Sequence, residues 1–131
     1  LRHDSSTGDQ DLVFVGAPAQ ALTAEELRTR VSVALGREPL LLPGDGRPLR
    51  RVAWCTGGAQ GHFEDAVAAG ADAYLTGEVS EPQAHLARET GVAFLACGHH
   101  ATERFGIQAV AEDVARRFGL EHRFIDLPNP A

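Results

Sequence analysis

Lysine and methionine are absent from this chain of 131 residues, and cysteine occurs only twice. Without lysine there is no Schiff-base nucleophile and no P-loop cation, which removes two broad catalytic classes. All 12 basic residues are therefore arginine. Without methionine the chain has no initiator residue, and it is expected to be a piece of a longer protein. Cys55 and Cys97 are too sparse for a disulfide framework, so reduced thiols and a cytoplasmic setting are the expectation. Positive charge is also in short supply: 12 basic against 18 acidic residues give −6. No basic stripe is present, and a nucleic-acid partner is disfavoured. No apolar run approaches the roughly 20 residues that span a bilayer, and the opening LRHDSSTGDQD lacks the apolar stretch of a secretory leader. No membrane association is expected.

What remains is 44% hydrophobic, too apolar for a disordered chain and long enough for one domain with a real core. Residues 1–10 read as a flexible lead, and residues 11–131 as a single α/β domain. Asp11–Gly16 is a short β-rich run. Thr23 and Glu26 form a capping box for a helix that ends at Gly36. Pro39–Leu42 reads as a brief strand and Pro43–Gly46 as a turn. From Arg51 the rhythm is regular. Strands are expected at 51–55, 72–76, 92–97 and 122–126, with helices at 62–69, 81–90 and 101–118. Strands alternating with helices imply a layered α/β/α domain with a largely parallel sheet.

Three successive strands end in polar, glycine-bearing segments: Thr56-Gly57-Gly58, Thr76-Gly77-Glu78 and Gly98-His99-His100. Sites in such sheets form beyond the carboxyl ends of the strands, so neighbouring strands would bring these loops to one rim. Gly57-Gly58 reads either as an anion-holding loop or as a tight turn packed against its neighbour. Glu78 reads as a ligand, a base or a cap for the following helix, and His85 as a ligand or a half-buried surface residue. If the last helix starts at His99, then His99 and Glu103 lie one turn apart and face the same way. Such a pair can grip a divalent ion, but Glu103 can equally be a first-turn acid favoured by the helix dipole. His100 points about 100° away and needs another task.

Four segments occur together in order: Arg51-Val-Ala-Trp-Cys-Thr-Gly-Gly58, Tyr74-Leu-Thr-Gly-Glu-Val-Ser80, Gly98-His-His-Ala-Thr-Glu-Arg104 and Phe124-Ile-Asp-Leu-Pro-Asn-Pro130. In this wording the chain resembles the NIF-three-like family, also labelled GTP cyclohydrolase 1 type 2 homologues, and specifically its C-terminal half. The resemblance implies a NIF-three-like fold, a dinuclear centre of divalent metal ions (zinc, iron, manganese or nickel) and a toroidal homohexamer. It assigns His99 and Glu103 to the metal ions and places Glu78 and His85 in the pocket as proton-transfer groups. The family's other ligands, an adjacent histidine pair and an aspartate, have no counterpart here. The activity it implies is hydrolysis of a small-molecule substrate by a metal-activated water. The alternative is a non-catalytic ring-shaped scaffold with structural metals.

Overall fold

The computed structural model describes residues 2–127, 129 and 130. The outermost residues of the expected lead and tail, Leu1 and Ala131, lie outside the described residues. Strands β1 (Arg2–Thr7), β2 (Val13–Ala17), β3 (Leu40–Leu42), β4 (Val52–Trp54), β5 (Ala73–Thr76) and β6 (Ala93–Ala96) form one sheet. Helices α1 (Ala24–Leu35), α2 (Phe63–Ala68), α3 (Glu81–Thr90) and α4 (His99–Phe118) surround it. The strand order is β1-β2-β4-β5-β6-β3. β4, β5 and β6 pair in parallel, whereas β1 on β2, β2 on β4 and β3 on β6 are antiparallel. The expected parallel pairing thus holds in the centre of a mixed sheet.

Side chains alternate across the parallel centre as strand geometry demands. Val52, Ala73, Ala93 and Leu95 face α1, where they bury Leu27 and contact Val31 and Leu35. Ala53, Tyr74 and Phe94 face α2 and α3, meeting Phe63, Ala66 and Ala87. This gives the expected three layers. Phe63, Tyr74 and Phe94 form an aromatic knot with centroids 5.0–5.9 Å apart. The Tyr74 hydroxyl donates to the Ala59 carbonyl at 2.7 Å, so the one polar atom of the knot is satisfied. Burial pushes the Tyr74 phenol well above its usual range.

Local signals set the helix ends. Thr23 and Glu26 close the capping box expected for α1, and Ser80 with Gln83 closes a second one at α3. Gly36, Gly91 and Gly119 end α1, α3 and α4 in the left-handed conformation.

Two expectations fail. Residues 2–7 are not a flexible lead but the edge strand β1, held against β2 with the register Thr7↔Val13 through Arg2↔Ala17. The His3 ring meets Phe14 edge-on at 5.0 Å. Residues 122–126 are not a strand. The segment instead runs back to the start of α4, where Asp126 bonds to His100 and Arg104. No helix among the described residues is long and apolar enough to cross a membrane. Cys55 and Cys97 are free thiols.

Candidate metal centre

Because β4, β5 and β6 are parallel, their carboxyl ends meet on one rim. The three loops leaving it are stitched together by main-chain bonds. The Gly77 N–H donates to the Gly57 carbonyl at 2.8 Å, and the Gly98 N–H to the Gly77 carbonyl at 2.9 Å. Thr76 Oγ1 donates to that same Gly57 carbonyl at 3.1 Å and accepts from the Ala59 N–H at 3.2 Å. Gly77 is squeezed between its neighbours: a Cβ there would stand 2.6 Å from the Gly57 carbonyl oxygen and from His99 Cα.

α4 starts at His99, so His99 and Glu103 share a face. His99 Nε2 lies 3.1 Å from Glu103 Oε2. The other ring nitrogen, Nδ1, lies 2.6 Å from Glu78 Oε1. The ring is thus held between two carboxylates, Nδ1 facing Glu78 and Nε2 facing Glu103. Gln60 Nε2 donates to the second Glu78 oxygen at 3.4 Å. Glu78 is therefore not the cap of α3, a role held by Ser80.

The Gly57 loop shapes the corner in which the two donors meet. Its φ is +70°, and a Cβ there would stand 2.2 Å from Glu103 Oε1 and 3.2 Å from His99 Nε2. Only glycine adopts that backbone freely and leaves the corner open. Thr102 ties the loop to the helix: its Oγ1 accepts from the Gly57 N–H at 3.0 Å and faces the carbonyls of Gly98 and His99, each 3.0 Å away. The Gly57-Gly58 loop is packed tightly against its neighbours, and a 3-10 turn at Gln60–His62 separates it from α2.

The electrostatics follow the bonds. The hydrogen bond to Glu78 raises the His99 pKa; burial opposes it, and the Glu103 charge adds to the rise. The same bond lowers the Glu78 pKa, with the His99 charge assisting. The Glu78 carboxylate is thus favoured in its charged, accepting form. Burial, then the Glu103 charge, raises the Cys55 thiol.

The donor set fits a cation in part. Two donors each about 2.1 Å from one ion, about 90–110° apart, stand about 3.0–3.4 Å from each other. The 3.1 Å between His99 Nε2 and Glu103 Oε2 falls inside that interval, and an imidazole with a carboxylate suits first-row divalent ions. Among the described residues no three His, Cys, Asp or Glu side chains gather to hold a metal ion. His99 and Glu103 thus form a two-donor face.

His85 is not brought to this face. It is exposed on α3, with Glu81 3.9 Å away, and lines a separate hollow of about 520 Å³ with Gln60 and Leu86. His100 turns away from His99, as helix geometry requires, and bonds through Nε2 to Asp126 Oδ1 at 2.8 Å. Arg104 Nη1 reaches the other Asp126 oxygen at 3.0 Å. The His100 bond, with Arg104 assisting, holds the Asp126 carboxyl below its usual range. The sequence reading missed Thr102, Gln60 and Asp126 as contributors. Glu78 and Asp126 lie 21 and 26 residues from their histidines, beyond any local spacing rule. Beside the rim an apolar cavity of about 400 Å³ opens between α1 and α4, lined by Leu35, Trp54, Leu75, Cys97 and Phe105.

Residues 3–130 match the family described as Duf34/NIF3 (NGG1p interacting factor 3). The chain belongs to this family. It is 55% identical over 122 residues to a Pseudomonas aeruginosa protein named GTP cyclohydrolase 1 type 2 homolog, a match covering 93% of this chain and 48% of that protein. A protein of the same name from Escherichia coli K12 is 51% identical over 124 residues, covering 93% of this chain and 50% of the relative. The chain spans about half the length of the curated relatives it matches. Among solved structures, protein ybgI, described as of unknown function, superposes with a TM-score of 0.88 at 45% identity. That match covers 93% of this chain and 50% of ybgI. TTHA1606 from Thermus thermophilus gives 0.77 at 26% identity, covering 98% of this chain and 51% of that one.

Proposed function

We propose that this chain supplies one face of a divalent-metal site in a metal-dependent hydrolase, with His99 and Glu103 as ligands and Glu78 as the residue that orients His99. The observation that carries the reading is the His99 ring held between two carboxylates, Nδ1 at 2.6 Å from Glu78 and Nε2 at 3.1 Å from Glu103. Glu78 fixes the tautomer, so that Nε2 is the free donor. Glu103 brings a compensating negative charge, and Gly57 keeps side chains out of the corner. Thr102 holds the Gly57 loop at a set distance from the helix. A divalent ion bound there would act as a Lewis acid and lower the pKa of water towards neutrality. The apolar cavity beside the rim has room for part of a small-molecule substrate.

The name shared by the curated relatives makes GTP, opened by hydrolysis, the first substrate to test. The two ions per full-length subunit, the toroidal hexamer and the cytoplasmic setting belong to the same proposal. A second reading, a scaffold with structural metal, is favoured by the family description itself, which is that of an interacting factor.

The test has two parts. Calorimetric titration of the chain with Zn²⁺ should show binding that His99→Ala weakens at least about tenfold while the fold persists. Equal binding by a folded His99→Ala variant overturns the site. GTP and phosphoester hydrolysis is then measured on the full-length protein that carries this segment. Turnover abolished by His99→Ala supports the hydrolase; tight metal with no turnover of any substrate supports the scaffold.

A further inference from the structure

His99 opens α4 and Glu103 follows one turn on, yet the helix start lacks the usual fastening. Its N-cap is Gly98, which offers no side-chain acceptor, and no acidic residue occupies the first turn. Free N–H groups at an uncapped helix start leave that turn prone to fray. The C-terminal tail meets this turn instead. Asp126 Oδ1 accepts from His100 Nε2 at 2.8 Å, and Oδ2 accepts from Arg104 Nη1 at 3.0 Å. Arg104 Nη2 donates onward to the Leu35 carbonyl at 2.7 Å, tying α4 to the end of α1. Further along, the Pro130 carbonyl accepts from Arg37 Nη2 at 2.5 Å, which keeps the tail down.

The spacing gives this bracket its meaning. His99 and Glu103 are one i,i+4 pair; His100 and Arg104 are the adjacent pair, rotated by about 100°. One carboxylate bonded to both members of the second pair spans the very turn that separates the members of the first. Its negative charge also sits at the helix end where the dipole favours it.

We propose that Asp126 is a positioning residue for the metal site: by clamping His100 and Arg104 it sets the helical turn that presents His99 and Glu103. The role rests on the metal reading given above, but the clamp itself can be measured without metal.

The test uses the whole chain, with Zn²⁺ alone as the probe, in four variants. Asp126→Asn and Arg104→Gln should each weaken Zn²⁺ binding about tenfold, the usual effect of losing an outer-shell partner. Asp126→Glu should recover part of the loss. Asp113→Asn, which removes a carboxylate paired with Arg116 and Arg117 farther along the same helix, should change affinity less than twofold. Arg104→Gln separates the clamp from a plain field effect. Removing a cation beside a cation site strengthens binding on electrostatic grounds and weakens it if geometry rules. In metal-free protein, amide exchange at Thr102, whose N–H donates to the Gly98 carbonyl, should accelerate in Asp126→Asn. Zn²⁺ binding by folded Arg104→Gln equal to or tighter than wild type overturns the proposal, and so does unchanged exchange in Asp126→Asn. If wild type binds no Zn²⁺, the metal reading falls, and the exchange result alone decides the clamp.

Discussion

The two ends of α4 are built in opposite ways. At its start the polar side chains have named partners: Thr102 reaches the Gly57 loop, His99 reaches Glu78, and His100 and Arg104 reach Asp126. Beyond the second turn the same helix presents Ile107, Val110, Val114 and Phe118 to the exterior, each at least 40% exposed. These positions fall on one stripe at helical spacing. Only Ala101, at the fastened end, is buried. The difference separates two kinds of order. The start of α4 is positioned by directional bonds and close glycine contacts, and its remaining length is held by the helix's own hydrogen bonds.

Substitutions at glycine make the contrast measurable. The largest effect is expected at the fastened rim, from Gly77→Ala. The new methyl would stand 2.6 Å from backbone atoms of Gly57 and His99, which cannot turn aside as a side chain can. A loss of about 3 kcal/mol or more is expected in urea unfolding. A loss below about 1 kcal/mol would show that the rim is looser than described. In the exposed length, Gly106→Ala meets nothing within 4 Å and removes a glycine from a helix interior. It should stabilise by about 0.5–1 kcal/mol. A destabilisation there would mean that this stretch of α4 is packed after all.

The smallest effect, a control at the opposite end of the sheet, involves the turn before β4. The Arg47 side chain, bonded to Asp45 at 2.6–3.0 Å, holds that carboxyl down to about 2. Because the folded pKa lies below the ordinary value of about 3.9, the contribution is present above pH about 4. It is lost as pH falls towards 2. The pair is open to solvent, so its share is small. Asp45→Asn should lower stability slightly at pH 7, where the contribution is fully present, and the difference from wild type should close as pH falls from 4 to 2. An equal slope in both proteins would remove the pair from the account.

Much of this was readable from residues alone, for reasons that are local. Thr23 with Glu26, and the glycines that close α1, α3 and α4, carry signals within a few positions of where they act. The three glycine-bearing strand ends and the four-residue spacing of His99 and Glu103 are of the same kind. What escaped depends on neighbours distant in the chain. β1 is polar because an edge strand covers little, so no alternation of apolar residues announces it. Phe124 and Ile125 look like strand residues, yet the fold ties the next residue, Asp126, to His100 and Arg104 on α4 rather than to a strand. Glu78 reads as a ligand, a base or a cap, and no local signal chooses between them until the fold brings the His99 ring to it.

The strand order has a consequence for how the molecule assembles. β2 lies on one side of the parallel centre and β3 on the other, although α1 alone separates them in the chain. The segment 52–96 builds β4, β5 and β6 from sequence neighbours, whereas β2 and β3 each find partners across a long loop of chain. Closing such loops is slow compared with local pairing. The central β-α-β-α-β unit is therefore the natural nucleus, and the earlier residues arrive afterwards as two bookends, although in biosynthesis they leave the ribosome first.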